Sequence, residues 1–481
     1  MKKKLLLFLL FAVPCHSILA QWENLNLNQN VLSVFKSGIT TFAGTEKGLY
    51  YKKDNEANWQ QYTGFTTRVK SFIKENNTLY LSSYQRVFKS TDLGLSWQPL
   101  KIVREYEDVN NVFISGNTLI AAMDGGGIYF SADDGANWYQ SGTSWQSHNT
   151  ALIKKGDNLY LSTKNSGFMQ RSTDDTGRIW TSINGDGLKI GLSSAFQDIT
   201  SLASINDDVL IAGTNDYSTA VGQDGVYFSY DNGAKFVKRI YGMTNPSINA
   251  LAVVGNLIFA GSENGGVYYS KNEGNDWFSL NTGLANLNIS KLYVFETELY
   301  AATSTGVFKI DICNLLKNTS KIYSDGNVVI SKGKTLELKA NSGGKSYNWY
   351  KNDVLINDVH ISNFIVTESG EYKVTVIYSS ACNDESNKVN VTVETLGLED
   401  LTDVKNKIKL YPNPIVDFLS IENDNKDIKS IKILDVNGKV LSDKINIDNE
   451  MIKINFTSYP KGIYFIQINS DHKSIRKVIK I

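Results

Sequence analysis

The octet "SADDGANW", Ser131 to Trp138, sets Asp133, Asp134, Gly135, Asn137 and Trp138 side by side. Such a group could hold a divalent cation through hard oxygen ligands. It could also supply a carboxylate pair for acid–base chemistry, or simply shape a tight turn. A calcium loop needs regularly spaced ligands and a closing bidentate Glu. The octet has neither, so no metal is expected. Similar stretches end at Trp59, Trp97, Trp180, Phe236 and Trp277, and a motif repeated this often reads as scaffold. In each turn the first carboxylate (Asp92, Asp133, Asp174, Asp231) is expected to accept backbone N–H bonds. A glycine (Gly94, Gly135, Gly233, Gly274) takes a conformation that other residues resist. The aromatic (Trp97, Trp138, Trp180, Phe236, Trp277) anchors the turn.

Chemistry has few other candidates. His148, His360 and His472 fall in three different segments, so no Ser/His or metal–His set assembles readily. No catalytic residue and no cofactor are assigned. Arg86, Arg104 and Arg239 could approach one mouth. The separation of paired carboxylates is not written in a sequence, so a secreted glycoside hydrolase, sialidase-like or of another type, stays as the alternative to a binding role. Cys15 belongs to the leader, which leaves Cys313 and Cys382. In an exported protein they could pair, or each could be a small buried residue. There is no CxxC or Cys/His cluster to suggest structural zinc.

The scaffold that carries the octets is repetitive. Successive aromatics are 38, 41, 42, 56 and 41 residues apart, the period of a four-stranded propeller blade. Short aromatic strands begin at 48, 86, 127, 167, 225, 266 and 306, and alternating apolar runs such as "VNNVFISGNTLIAAM" precede them. Period two over short runs indicates strands. The seventh unit stops at "GVFKID" without a fourth strand, while "QWENLNL" around Trp22 looks like an orphan copy of "DWFSLNTGL". An N-terminal strand completing the last blade would close the ring and remove the unpaired edge. A seven-bladed propeller over 21–312 is therefore expected.

The octets resemble the Asp-box, or BNR, repeat found in sialidases, sortilin-like receptors, xyloglucanases and plant photosystem assembly factors. That resemblance implies fold more than activity. Copies depart from it at Glu56, which replaces the glycine, at an extra residue before Trp180, and at Asn272, which replaces the aspartate.

The ends of the chain concern traffic. "MKKK", an apolar run and "SILA" form a secretory leader over 1–20. The apolar run is too short to span a bilayer, and no later stretch is long enough. The chain holds 49 basic and 49 acidic residues; without Lys2, Lys3 and Lys4 this becomes 46 against 49. That balance offers no footprint for nucleic acid or an anionic membrane. Residues 318–395, with Trp349 and "SGEYKV" around Tyr372, resemble an immunoglobulin-like sandwich with a tyrosine corner. Apolar residues near Leu338 and Val374 stand at its usual cysteine positions, and such a module would act as a spacer. A linker over 396–407 follows. "LYPNPIVDFLSI", "IKILDVNGKVL", "YPKGIYFIQI" and "SIRKVIKI" then resemble, over 408–481, the C-terminal sorting domain of type IX secretion substrates of Bacteroidetes. By that resemblance Tyr411, Pro412, Asn413 and Pro414 open a β-sandwich, Gly438 lies in its central turn, Gly462 and Tyr464 mark a late strand, and Lys477 and Lys480 belong to the terminal basic motif. It implies the type IX machinery as partner, followed by release or surface attachment.

The whole reads as an exported all-β binding or adhesion protein that meets a glycan or protein outside the cell. Within each blade the acidic turn shares a face with the turn between the first two strands. Ligands should therefore meet the opposite face, where long loops concentrate function. Trp145, Tyr217 and Tyr106, with Asp216 as polar partner, are the expected binding residues there.

Overall fold

A computed structural model describes residues 21–481 except 142–147, 157, 164–167, 173–179, 184, 189–197, 207, 216–223, 325–326, 332, 395–407, 424–427, 446–450 and 470–472. The chain divides into two compact units, 1–396 and 397–481. The leader lies outside the described residues.

The first unit opens with seven four-stranded antiparallel sheets. Blade three is typical: Val109–Ser115, Thr118–Met123, Ile128–Ser131 and Tyr139–Gln140, each pairing with the next. The first strand of each blade lies beside that of the following blade, and Ile289–Phe295 of blade seven lies beside Val31–Ser37 of blade one. The ring is thus closed, and the protein is a seven-bladed propeller. Second strands are buried along nearly all their length, and from end to end in Thr118–Met123. Their small residues let neighbouring sheets approach: a Cβ on Gly44 would come within 2.3 Å of Val69 O in the next blade.

Blade seven takes its outer strand from the start of the chain. Glu23 and Asn24 pair antiparallel with Lys309 and Phe308, and Leu25 N–H donates to Val307 O. Trp22 is 4% exposed and its Nε1 donates to Leu280 O at 2.6 Å.

Each box aromatic fills the wedge between its own blade and the one before. Trp97 of blade two packs with Phe42 of blade one, edge to face at 6.2 Å. Trp180 packs with Ile120 of blade three, Phe236 with Tyr160 of blade four and Trp277 with Phe228 of blade five. Trp22 of blade seven extends the series onto blade six. Burial is uneven around the ring. Trp277 is 3% exposed, whereas Trp138 is only half-buried and its Nε1 lacks a hydrogen-bond partner among the described residues.

After Asp311 comes a one-turn helix, Cys313–Leu316, then a sandwich. Its larger sheet carries Ser346–Lys351, Gly370–Ser379 and Val389–Glu394; Leu336–Lys339 pairs with Asn363–Val366 in the smaller one. Trp349, Leu338 and Val374 are fully buried, and Tyr372 OH donates to Glu368 O at 2.9 Å, closing a tyrosine corner. Cys313 and Cys382 are joined in a disulfide that ties the helix to the sandwich. The Asp384 carboxylate accepts the N–H groups of Asn318, Thr319 and Ser320 at 2.8–2.9 Å. One continuous apolar cluster runs from blades six and seven into the sandwich. Asn256 Nδ2 donates to Thr319 O and Ser342 N–H to Asn206 Oδ1. The sandwich is packed onto the ring here, and is not a spacer held apart from it.

The second unit is a smaller β-sandwich. One sheet holds Ile408–Tyr411, Phe418–Asn423 and Met451–Asn455; the other holds Val440–Ile445, Ser430–Leu434, Gly462–Asn469 and Lys473–Lys480. Alternating isoleucines from both sheets and Phe456 fill the space between them.

Candidate functional site

The acidic turns have one geometry in four described copies. Ser131 Oγ donates to Asp133 Oδ1 at 2.8 Å and accepts Gly135 N–H at 2.8 Å; Asp133 Oδ1 also accepts Asn137 N–H at 2.8 Å. The same bonds recur around Ser90 and Asp92, around Ser229 and Asp231, and around Ser270 with Asn272 in the aspartate's place. The buried serine is therefore the centre of the turn, beside the aspartate, glycine and aromatic that the sequence singles out. Positive φ also extends to the residue before the glycine: Leu93 at 57° and Gly94 at 92°, Asp134 at 57° and Gly135 at 84°. A Cβ on Gly94 would strike the Phe42 ring of blade one at 2.3 Å. Burial works against ionisation of Asp92, but hydrogen bonds from Ser96 and Ser90 outweigh it and hold the carboxyl down at about 2. Bonds from Asn137 to Asp133 and from Lys235 to Asp231 act in the same direction. Asp174 lies outside the described residues. Among the described residues no group of three or more His, Cys, Asp or Glu could hold a metal ion.

The opposite face holds a cavity of about 480 Å³ at the centre of the ring. Its origin is a β-bulge in the first strand of every blade. The register shifts between residues 31 and 33, 69 and 71, 109 and 111, 149 and 151, 199 and 201, 248 and 250, and 289 and 291. A bulge leaves one residue unpaired and re-aims its side chain. The seven unpaired residues are Leu32, Lys70, Asn110, Thr150, Thr200, Asn249 and Ser290, and all seven line the cavity.

A bulge also frees a backbone carbonyl, which must find a partner when buried. The preceding blade supplies one. Asn110 Nδ2 donates to Asn149 O at 2.8 Å, Asn249 Nδ2 to Ile289 O at 3.2 Å, and the Thr150 and Thr200 hydroxyls to Ile199 O and Ile248 O. Four polar members of the ring are therefore held by backbone that they also serve.

Charge crosses one side of this mouth as a chain. Arg68 Nη1 and Lys70 Nζ both lie 2.9 Å from Asp108 Oδ2; Lys70 reaches Asp124 at 3.4 Å, and Asp124 Oδ1 is 2.7 Å from His148 Nδ1. Burial raises the Asp124 carboxyl, but the His148 bond and the Lys70 charge outweigh it, holding it below the usual carboxylate range. Glu263 accepts from Asn215 at 2.7 Å.

A second cleft, of about 520 Å³, lies at the seam of blades one and seven. Lys36 contacts Asp54 at 2.6 Å and Glu298 at 3.5 Å, and Lys309 contacts Glu298 at 2.9 Å. These charges satisfy one another across the seam and lock it.

Of the expected binding residues, Tyr106 sits in the connection between blades two and three, 80% exposed with φ 64°. Trp145, Asp216 and Tyr217 lie outside the described residues. The three arginines do not converge. Arg239 stacks on Phe228 and Tyr230 and donates to Glu273 O in the acidic turn of blade six, away from the mouth. Arg68 and the bulge residues were missed. Their signal is a polar residue second in an apolar strand, as in "INALAVV" and "ITSLASI".

In the tail, Asn413 Oδ1 accepts Ile479 N–H at 2.8 Å and its Nδ2 donates to Lys477 O at 3.2 Å. Ile415 N–H donates to Ile479 O, and Ile481 N–H donates to Ile415 O. Tyr411 OH donates to Glu422 at 2.6 Å, and Tyr464 OH donates to Pro460 O at 2.7 Å. Gly438 has φ 80° in the turn that Asp435 caps, and the Lys480 ammonium donates to Val416 O. The "YPNP" segment and the terminal strand are thus clasped together.

No curated protein matches the chain. Among solved structures it is similar to YCF48 bound to a D1 peptide, at 16% identity and TM-score 0.49, covering 60% of this chain and 96% of that one. YCF48 from Cyanidioschyzon merolae gives 13% and 0.46, covering 61% and 99%. The extracellular domain of a hybrid two-component system from B. thetaiotaomicron gives 12% and 0.46, with 78% of this chain spanning 58% of that one. No functional argument rests on likenesses at this level. Among the described residues no helix is long and apolar enough to cross a membrane. The secretion system C-terminal sorting domain matches residues 409–481, the segment whose ends the clasp joins, and the chain is accordingly a type IX secretion protein of Bacteroidetes, delivered to the cell surface or the extracellular space.

Proposed function

We propose that the protein is an extracellular binding protein whose propeller captures a glycan or protein ligand at the mouth opposite the acidic turns. The observation that carries this reading is the ring of seven bulge residues, one from each blade, around a single cavity. Its volume falls within the ~300–1,000 Å³ of small-ligand clefts, and rigid polar groups converging on one space are what such sites need. Tyr106, and by expectation Trp145, Tyr217 and Asp216, would extend the contact outward on the surrounding loops. The tail delivers this mouth to the medium or the cell surface.

A glycoside hydrolase is the alternative. A glycosidase needs one carboxyl held protonated near neutral pH as general acid. Asp124, the shifted carboxyl beside the mouth, is held toward the ionised form by the His148 bond and the Lys70 charge, which unsuits it to that role. The test is retention of the secreted protein on a panel of immobilised polysaccharides and surface proteins, with reducing-sugar release measured alongside. Retention without release, abolished by Leu32→Trp, which would fill the cavity, is the expected result. Release of reducing sugar, or retention unaffected by Leu32→Trp, would overturn it.

A further inference from the structure

The third residue of each first strand is small or neutral in six blades: Ser33, Ser71, Asn111, Ala151, Ser201 and Ala250. In blade seven it is Lys291. Its side chain is one of those lining the central cavity. Among the described residues it has neither an ion-pair nor a hydrogen-bond partner, although Arg68 and Lys70 close by are each paired with carboxylates. Lys291 is partly buried, and an unpaired ammonium withdrawn even partly from water is costly. Burial pushes Lys291 below the usual lysine range. Six blades show that the architecture does not need a cation there.

Resting on the binding reading above, we infer that Lys291 is the anchor for a carboxylate of an acidic polysaccharide that enters the central mouth. A carboxylate beside Lys291 supplies the missing counter-charge. Thr200, Asn249 and Ser290 bring hydroxyl and amide groups to the same cavity, suited to the hydroxyls of a sugar ring. An acidic peptide fits less well. Peptide recognition leans on aromatic and apolar surface, and among the described residues Leu32 is the one apolar side chain in the lining.

The inference predicts a trade of stability for affinity. Lys291→Met removes an unpaired, partly buried charge, so its thermal midpoint should rise. The same change should weaken binding to polygalacturonate, alginate or hyaluronate at least tenfold, while Lys291→Arg retains it. Carboxyl-reduced forms of these polymers should bind the wild type at least tenfold more weakly than the native forms. The other ionisable groups facing the cavity are Glu46, Glu263, Arg68 and Lys70. Equal binding of native and carboxyl-reduced polymers, native binding by Lys291→Met, or capture of an acidic peptide in place of the polysaccharides would each overturn the assignment. Neutral glycans bound by the wild type and excluded by Leu32→Trp would overturn it too, while leaving the mouth itself intact as a binding site.

Discussion

Replacing Trp277 and Trp138 separately by alanine tests whether the box aromatics are wedges between blades. Truncating a buried Trp costs about 3–5 kcal/mol. Trp277 is 3% exposed, packs between blades five and six, and donates Nε1 to Arg239 O at 3.1 Å. Its loss also leaves that carbonyl short of a partner, so the upper half of the range, about 4–5 kcal/mol, is expected. Trp138 is half-buried and its Nε1 has no partner to lose. Half the transfer contribution gives about 2 kcal/mol. For a domain of this size each kcal/mol moves the thermal midpoint by about 2–4 °C. Calorimetry should then separate the two variants by roughly 5–10 °C, with Trp277→Ala the lower. Equal shifts, or a larger one for Trp138→Ala, would refute the wedge argument. A chelator should leave both the wild type and the variants unchanged.

Asp92 is held at about 2 in the folded protein against about 3.9 in an unfolded chain. Its contribution is present above the unfolded value and is lost as pH falls from about 4 toward 2. Asp92→Asn should flatten that part of the acid-unfolding curve at a cost below about 1 kcal/mol at neutral pH, because Asn272 already makes the equivalent bond in blade six. Reducing the disulfide or changing Cys382 to Ser opens a loop of 69 residues. The expected loss of about 4 kcal/mol should appear as a reductant-sensitive melting transition. Deleting 408–481 should trap the folded propeller in the periplasm, and equal amounts outside the cell for truncated and full-length protein would contradict that.

The fold was legible because it repeats. Trp97, Trp138 and Trp277 announce a period that no single strand carries, and the missing fourth strand beside "GVFKID" pointed to Trp22. The mouth was harder to see. Lys70, Asn249 and Lys291 sit in ordinary-looking strands, and only a one-residue register slip turns the bulge side chains inward. Loops drew attention because they were long, while the central cavity is lined mainly by residues within the strands. The role of Ser131 was hidden for a similar reason: a serine two residues before an aspartate is common, and its burial is set by the neighbouring blade.

The disulfide has a mechanical consequence. Suppose a ligand grips the mouth while the tail is held at the cell. Tension then leaves the propeller through Asp311 and reaches Cys313 within two residues. From there the covalent bridge carries it directly to Cys382. The chain between the two cysteines, which includes most of the sandwich strands, bears no load and cannot be drawn out. A pulling experiment on the oxidised protein should lack the extension of those residues and regain it after reduction.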